Sequence, residues 1–213
     1  MRGPFVNGHQ HCARRRGFLT SAAALGAGVL LPGSAHGAEI RDLRGTVFVN
    51  RRVATFDTPI RPGDSVVAAW GSSITFVLGG DAFRVRGGTA LTIDPDDGAL
   101  ARGLRILTGA LLGVFGRGSA VLGIRNATIG IRGTGLYLDV SPTRTYFCTC
   151  YGETNLWAEG APHHISATHH NAQYIDFDES GTMTMQATQV IGHDDAELRE
   201  LEAFHGRRPP FDA

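Results

Sequence analysis

From residue 45 to residue 158 the chain is a series of short apolar runs separated by glycine, proline and aspartate. Residues 82–86 (AFRVR) alternate apolar and charged side chains, which is typical of a strand with one buried face. Gly79-Gly80-Asp81 precedes this run and Gly87-Gly88 follows it, and both are hairpin-type breaks. Because turn signals recur roughly every 8–12 residues, the pattern predicts an all-β sandwich, barrel or solenoid.

Two stretches of this region are harder to interpret. Residues 104–115 are apolar and are interrupted by Gly109 and Gly113, so they favour strands that meet at a turn or bulge, with a helix as the alternative. Residues 143–150 and 153–158 predict two final strands, joined by a turn around Gly152.

The pattern changes after residue 158. Residues 173–177 (QYIDF) predict a strand, and residues 194–204 contain the one strong helix pattern. An aspartate is available to cap that helix, Leu198 and Leu201 form its apolar stripe, and Gly206 follows its end. We therefore predict a C-terminal segment at 158–213, with a helix at about 195–204.

The first 38 residues have the features of an export signal. Arg15 and Arg16 precede Phe18 and Leu19, and an apolar run follows over residues 22–31. This order resembles the twin-arginine export signal, and the small residues at 35–38 offer a cleavage site. The apolar run is shorter than the roughly 20 residues that cross a bilayer. We expect an exported or periplasmic protein whose mature chain has no membrane span; an uncleaved tether and a disordered basic tail are the alternatives.

Charge and composition narrow the classes of function. Loss of residues 1–38 removes four of the 20 basic residues and none of the 20 acidic ones, which leaves a net charge of −4. A chain of this charge lacks the positive field that nucleic-acid binding requires, so no nucleic-acid partner is expected. Every basic residue is arginine, which excludes a catalytic lysine.

A set of short motifs occurs in a recognisable order between residues 40 and 157. The motifs are 45–47 (GTV), 62–66 (PGDSV), 71–76 (GSSITF), 107–111 (LTGAL) and 127–134 (ATIGIRGT). Together they resemble the FecR domain, the periplasmic part of ferric-citrate-type signal-transducing regulators. The resemblance implies a FecR-like β domain at 39–157, built as a curled sheet or a solenoid-like stack of short strands. It also implies a recognition module rather than an enzyme.

The chain departs from that family in two respects. A full regulator carries a cytoplasmic segment that contacts a sigma factor and then a membrane helix, whereas an export signal stands in their place here. The C-terminal segment also lies outside the basic domain pattern. We therefore expect an exported, soluble form of the domain with a Cys-x-Cys strand.

Cys148 and Cys150 are the only cysteines that remain after residue 38. In a strand, residues i and i+2 lie on one face about 6.6–6.8 Å apart, so both thiols should point the same way, alongside Tyr146. Two such sulfurs can bind one metal ion. They can also close a strained disulfide or act as a redox pair, or simply pack in a core.

Six histidines follow the cysteines, and three of them are candidate metal ligands: His169, His170 and His193. Neighbouring histidines on a strand face opposite sides, so we expect only one of the first two to join the thiols. A set of two cysteines with His170 and His193 would suit zinc or iron in a closed tetrahedral shell. Copper is less favoured, because Met183 and Met185 are typical core residues.

The remaining sequence contains no recognised catalytic constellation, so no catalytic residue is predicted. The leading hypothesis is a non-enzymatic, exported FecR-domain module that binds a protein or a small ligand of unknown identity. In this hypothesis the cysteines and the tail histidines hold a structural metal ion. The alternative is a thiol redox protein or a metal-dependent enzyme that uses Cys148 and Cys150.

Overall fold

The computed structural model describes residues 38–95, 102–158 and 162–213. The predicted export signal, with Arg15, Arg16, Phe18 and Leu19, lies outside the described residues. The described chain forms 14 strands and one α-helix. Their bounds are β1 (Glu39–Arg44), β2 (Val47–Val49), β3 (Arg52–Val53), β4 (Ser65–Ala68), β5 (Ser73–Leu78), β6 (Asp81–Arg86), β7 (Ala90–Ile93), β8 (Arg102–Val114), β9 (Ser119–Ile124), β10 (Ala127–Val140), β11 (Thr145–Trp157), β12 (His163–Ala167), β13 (Asn171–Phe177), β14 (Met183–Ala187) and α1 (Asp195–Ala203).

All the described strands belong to one open, uncurled sheet, so the all-β prediction and the C-terminal helix are confirmed. The expected curled sheet or solenoid-like stack is wrong, because the strands pair edge to edge in a single open sheet. Three long strands, β8, β10 and β11, run through two halves of the sheet. In the helix-bearing half they continue into β6, β5 and β1 on one side and β13 and β14 on the other. In the opposite half they pair with β9, β7 and β12, and the sheet continues from β7 through β4 and β2 to β3.

The long strands continue where the sequence predicts breaks. Residues 104–115 lie mostly in the single strand β8, which confirms strand over helix, and the register with β7 shifts at Leu107. The predicted turn at Gly152 is wrong. Gly152 has a φ of +84° and forms a bulge inside the continuous strand β11, because this left-handed conformation kinks the strand without ending it.

Apolar side chains on the two faces of the sheet form two clusters. The main core contains fully buried residues from both halves, including Phe76, Ile106 and Leu136. A second cluster lies on the other face of the helix-bearing half, where Leu112 and Tyr137 pack with Leu198 and Leu201 of α1. The central strands of this half, β8, β10 and β11, are therefore buried on both faces.

The C-terminal segment is integrated into the sheet. Strands β12 and β13 pair with β11, and α1 follows with Asp194 as its N-cap, as the sequence predicts. Arg84 and Arg86 on β6 form ion pairs of 3.1 Å and 2.8 Å with Glu197 of α1. Among the described residues, no helix has the length and hydrophobicity needed to cross a bilayer.

Candidate metal centre

Strand β11 supplies two sulfur atoms to the second cluster. Tyr146, Cys148 and Cys150 lie on the same face, as the two-residue period of a strand predicts. Both cysteines are free thiols with no exposed surface, and their Sγ atoms are 4.0 Å apart. The sulfurs therefore face the underside of the C-terminal segment rather than solvent.

His170 enters the cluster from the turn between β12 and β13. Its backbone N–H donates to the carbonyl of Cys150 at 2.8 Å, and its Nδ1 lies 3.6 Å from Cys148 Sγ. The φ of His170 is +50°, a left-handed conformation that is uncommon outside glycine. The expected opposite orientation of His169 and His170 is wrong, because they lie in this turn and their rings are only 4.5 Å apart.

His193 enters from the loop between β14 and α1. Its ring stacks on Tyr137 with a centroid separation of 4.7 Å and is 9% exposed. Its Nε2 lies 3.2 Å from Cys150 Sγ and 3.3 Å from His170 Nδ1. Four of the five predicted ligands, Cys148, Cys150, His170 and His193, thus bring their ligand atoms within 4.8 Å of one another.

Hydrogen bonds on the outer nitrogens indicate how the two imidazoles are protonated. His193 Nδ1 lies 3.0 Å from the carbonyl of Ile191, and His170 Nε2 lies 2.8 Å from a carboxylate oxygen of Asp195. Both partners are acceptors, so each outer nitrogen carries the proton. In neutral rings the inner nitrogens then face each other at 3.3 Å with lone pairs, an arrangement that a cation between them would relieve.

Four of the six distances among the ligand atoms are close to the edges of a tetrahedron, and the other two are no longer than 4.8 Å. Bond lengths of about 2.3 Å to sulfur and about 2.0–2.1 Å to nitrogen give edges of about 3.8 Å between sulfurs, about 3.6 Å between sulfur and nitrogen, and about 3.3 Å between nitrogens. The corresponding distances here are 4.0 Å between sulfurs, 3.6 Å and 3.2 Å between sulfur and nitrogen, and 3.3 Å between nitrogens. A four-coordinate ion fits this arrangement with small adjustments of the side chains.

The two thiols differ in acidity. A hydrogen bond with Cys150 is the largest influence on the pKa of Cys148 and lowers it to about 5. Burial and the neighbouring Cys148 raise the pKa of Cys150 well above its ordinary value. The pair therefore shares one proton at neutral pH, and Cys148 is the stronger thiolate donor.

His169 lies beside this cluster in a second group with His170 and Asp195. Its Nε2 is 3.0 Å from Asp195 Oδ1, and its ring packs 4.5 Å from that of Phe211. Burial opposes ionisation of Asp195, but hydrogen bonds from both histidines lower its pKa. Sequence reasoning missed Asp195, whose only signal was an acid in the first turn of the predicted helix.

The remaining sulfur and imidazole groups lie elsewhere. His163 and His164 are exposed on strand β12. Met183 and Met185 on β14 pack against the main core, on the other face of the sheet from the thiols. The thioethers are therefore separate from the candidate centre.

Comparison with known proteins gives a fold likeness. The structure is similar to two crystal structures of a "putative anti-sigma factor" from Parabacteroides distasonis ATCC 8503, at 1.65 Å and 2.50 Å resolution. In both cases the TM-score is 0.51, the identity is 9%, and the match covers 59% of this chain and 60% of that chain. At this identity the likeness concerns the fold alone, and it spans about three fifths of the other protein.

Neither a family model nor a curated protein matches the sequence.

Proposed function

We propose that this chain is an exported, FecR-like binding and signalling module whose C-terminal segment is held to the sheet by a structural zinc or iron ion. Cys148, Cys150, His170 and His193 are the ligands. The FecR-like motifs and the fold shared with a protein named as an anti-sigma factor support the signalling role. The partner would be a protein or a small ligand outside the cytoplasm.

The convergence of the four ligand atoms within 4.8 Å of one another, with four of their six distances close to tetrahedral edges, is the single observation that carries the metal assignment. A shell closed by four protein ligands leaves no position for substrate, which favours a structural role over catalysis. The burial of both sulfurs supports the same role, because a catalytic thiol has to reach its substrate.

Elemental analysis of protein purified from its own host tests the proposal. We expect about one zinc or iron ion per chain, lost when Cys148 and Cys150 are both replaced by serine. The control is H164A, which removes an exposed imidazole that contacts Asn155 on β11 and should leave the metal content unchanged. A metal-free native protein would overturn the assignment.

A thiol redox pair is the second candidate. It is favoured by two free sulfurs 4.0 Å apart and by the lowered pKa of Cys148. Titration of the native protein with a thiol reagent separates the two candidates. Rapid modification of the native protein without a chelator would favour the redox pair, whereas thiols that react only after chelation would favour the metal centre.

A further inference from the structure

A second group of possible ligands lies between the proposed metal centre and solvent. His169, His170 and Asp195 each place a nitrogen or oxygen within 4.8 Å of the others. The side chains of His169 and Asp195 are 49% and 31% exposed, whereas His170 is 11% exposed and both sulfurs are fully buried. Exposure therefore falls stepwise from the outer group to the thiols.

His170 belongs to both groups. Its Nε2 lies 2.8 Å from Asp195, and its Nδ1 faces Cys148 and His193. The left-handed backbone of His170 turns its ring and that of His169 toward the same carboxylate. Such a conformation is strained for a residue other than glycine and is retained where the surrounding structure requires it. One imidazole thus connects an exposed ligand pair with a buried tetrahedron.

We infer that His169 and Asp195 form an entry site for a divalent transition-metal ion, which is captured there and then passed to the buried ligands. The inference rests on the proposed metal centre. Imidazole nitrogen and carboxylate oxygen are suitable ligands for such ions, and thiolates bind the softer ones more tightly, which gives the transfer its direction. When the ion binds, any proton held by the two sulfurs is released to water, and no electron is transferred.

The charges around Asp195 suit a site that binds the metal ion transiently rather than one that retains it. Arg199 lies 3.9 Å from Asp195 Oδ2, but its guanidinium is committed to Asp212 through two bonds of 2.7 Å. A cation at this distance weakens the retention of a second cation without occupying the carboxylate. The ring of Phe211 covers one side of His169, so an ion would approach from the open side.

Rapid mixing of the metal-free full chain with Co²⁺ tests this inference. The sulfur-to-cobalt charge-transfer band reports only ions that have reached the thiolates. We expect H169A to load about tenfold more slowly than wild type, which corresponds to about 1.4 kcal/mol in the barrier. The final amplitude and the Co²⁺ affinity should not change. The matched control is H164A, which also removes an exposed imidazole and should load at the wild-type rate.

The possible outcomes are distinct. Equal loading rates for H169A and wild type would overturn the entry site and leave the metal centre intact. A lower final amplitude in H169A would also overturn it, because His169 would then be a ligand of the buried ion. Absence of the charge-transfer band in wild type would refute the proposed function itself.

Discussion

Replacing Asp195 with asparagine should weaken metal binding by about 10- to 100-fold, or about 1.4–2.7 kcal/mol. The Asp195 carboxylate accepts a hydrogen bond from the Nε2–H group of His170 at 2.8 Å. This bond holds the proton on Nε2, so Nδ1 stays unprotonated and faces Cys148. Asparagine preserves the size of the side chain and one carbonyl acceptor. The expected loss of metal affinity therefore measures the contribution of the negative charge, which makes His170 a stronger base.

The effect should be confined to the metal-bound state. In the metal-free protein, Asp195 also pairs with Arg199 one helical turn later at 3.9 Å, a contact that contributes at most about 0.5 kcal/mol. Because asparagine also keeps one oxygen acceptor for His169 and His170, the melting temperature of metal-free D195N should remain close to that of wild type. A large decrease would mean that Asp195 acts mainly by holding α1.

The measurement is an equilibrium competition with a chromophoric chelator at fixed pH and salt. D176N is the matched control, because the side chains of Asp176 and Asp195 are equally exposed, at 31%. Asp176 binds Arg144 instead of a histidine, so its replacement should leave metal affinity unchanged. If D195N and D176N both bind metal as wild type does, the orienting role of Asp195 is refuted.

Three further results are expected. L201A should lower the free energy of unfolding by about 2–5 kcal/mol in chemical denaturation, since Leu201 is fully buried on the face of α1 that packs against the sheet. A loss below about 1 kcal/mol would contradict this packing. Metal affinity should rise about tenfold per pH unit between about pH 7 and 8.5. The lowered pKa of Cys148 and the raised pKa of Cys150 leave one proton on the thiol pair, which the metal ion has to displace. If titration calorimetry shows that the logarithm of the affinity rises twice as steeply with pH, this reasoning is wrong. G109A should destabilise the fold by about 1–3 kcal/mol more than G63A, judged by melting temperature and denaturation. Both glycines have positive φ, but only at Gly109 would a Cβ meet backbone atoms of Thr89, at 2.7 Å from its nitrogen, so equal losses would argue against the steric cause.

Local periodicity was sufficient to predict the strand class and the common face of the two thiols. The two-residue period of β11 places Cys148 and Cys150 on the same side of the sheet, independently of the rest of the fold. The helix was likewise predictable, because Asp194 caps it and Leu198 and Leu201 form one stripe. These features depend on neighbours within a few residues.

Contacts between distant segments could not be predicted in the same way. The left-handed turn at His170 is fixed by its backbone bond to Cys150, and the bulge at Gly152 by pairing with β10. The role of Asp195 depends on how α1 docks beside the turn that carries His169. The cysteines and the C-terminal histidines of the sequence identified the ligand types, but tertiary structure decides that His170 rather than His169 reaches the thiols.

The continuity of β11 has a practical consequence for anyone who wishes to dissect this molecule. The same strand carries both thiols in the helix-bearing half and ends at Trp157 in the opposite half, where the indole packs over Gly130. Because β8, β10 and β11 run through both halves, neither half should fold as a separate fragment. Indole emission and thiolate–metal absorbance should therefore report one and the same melting transition.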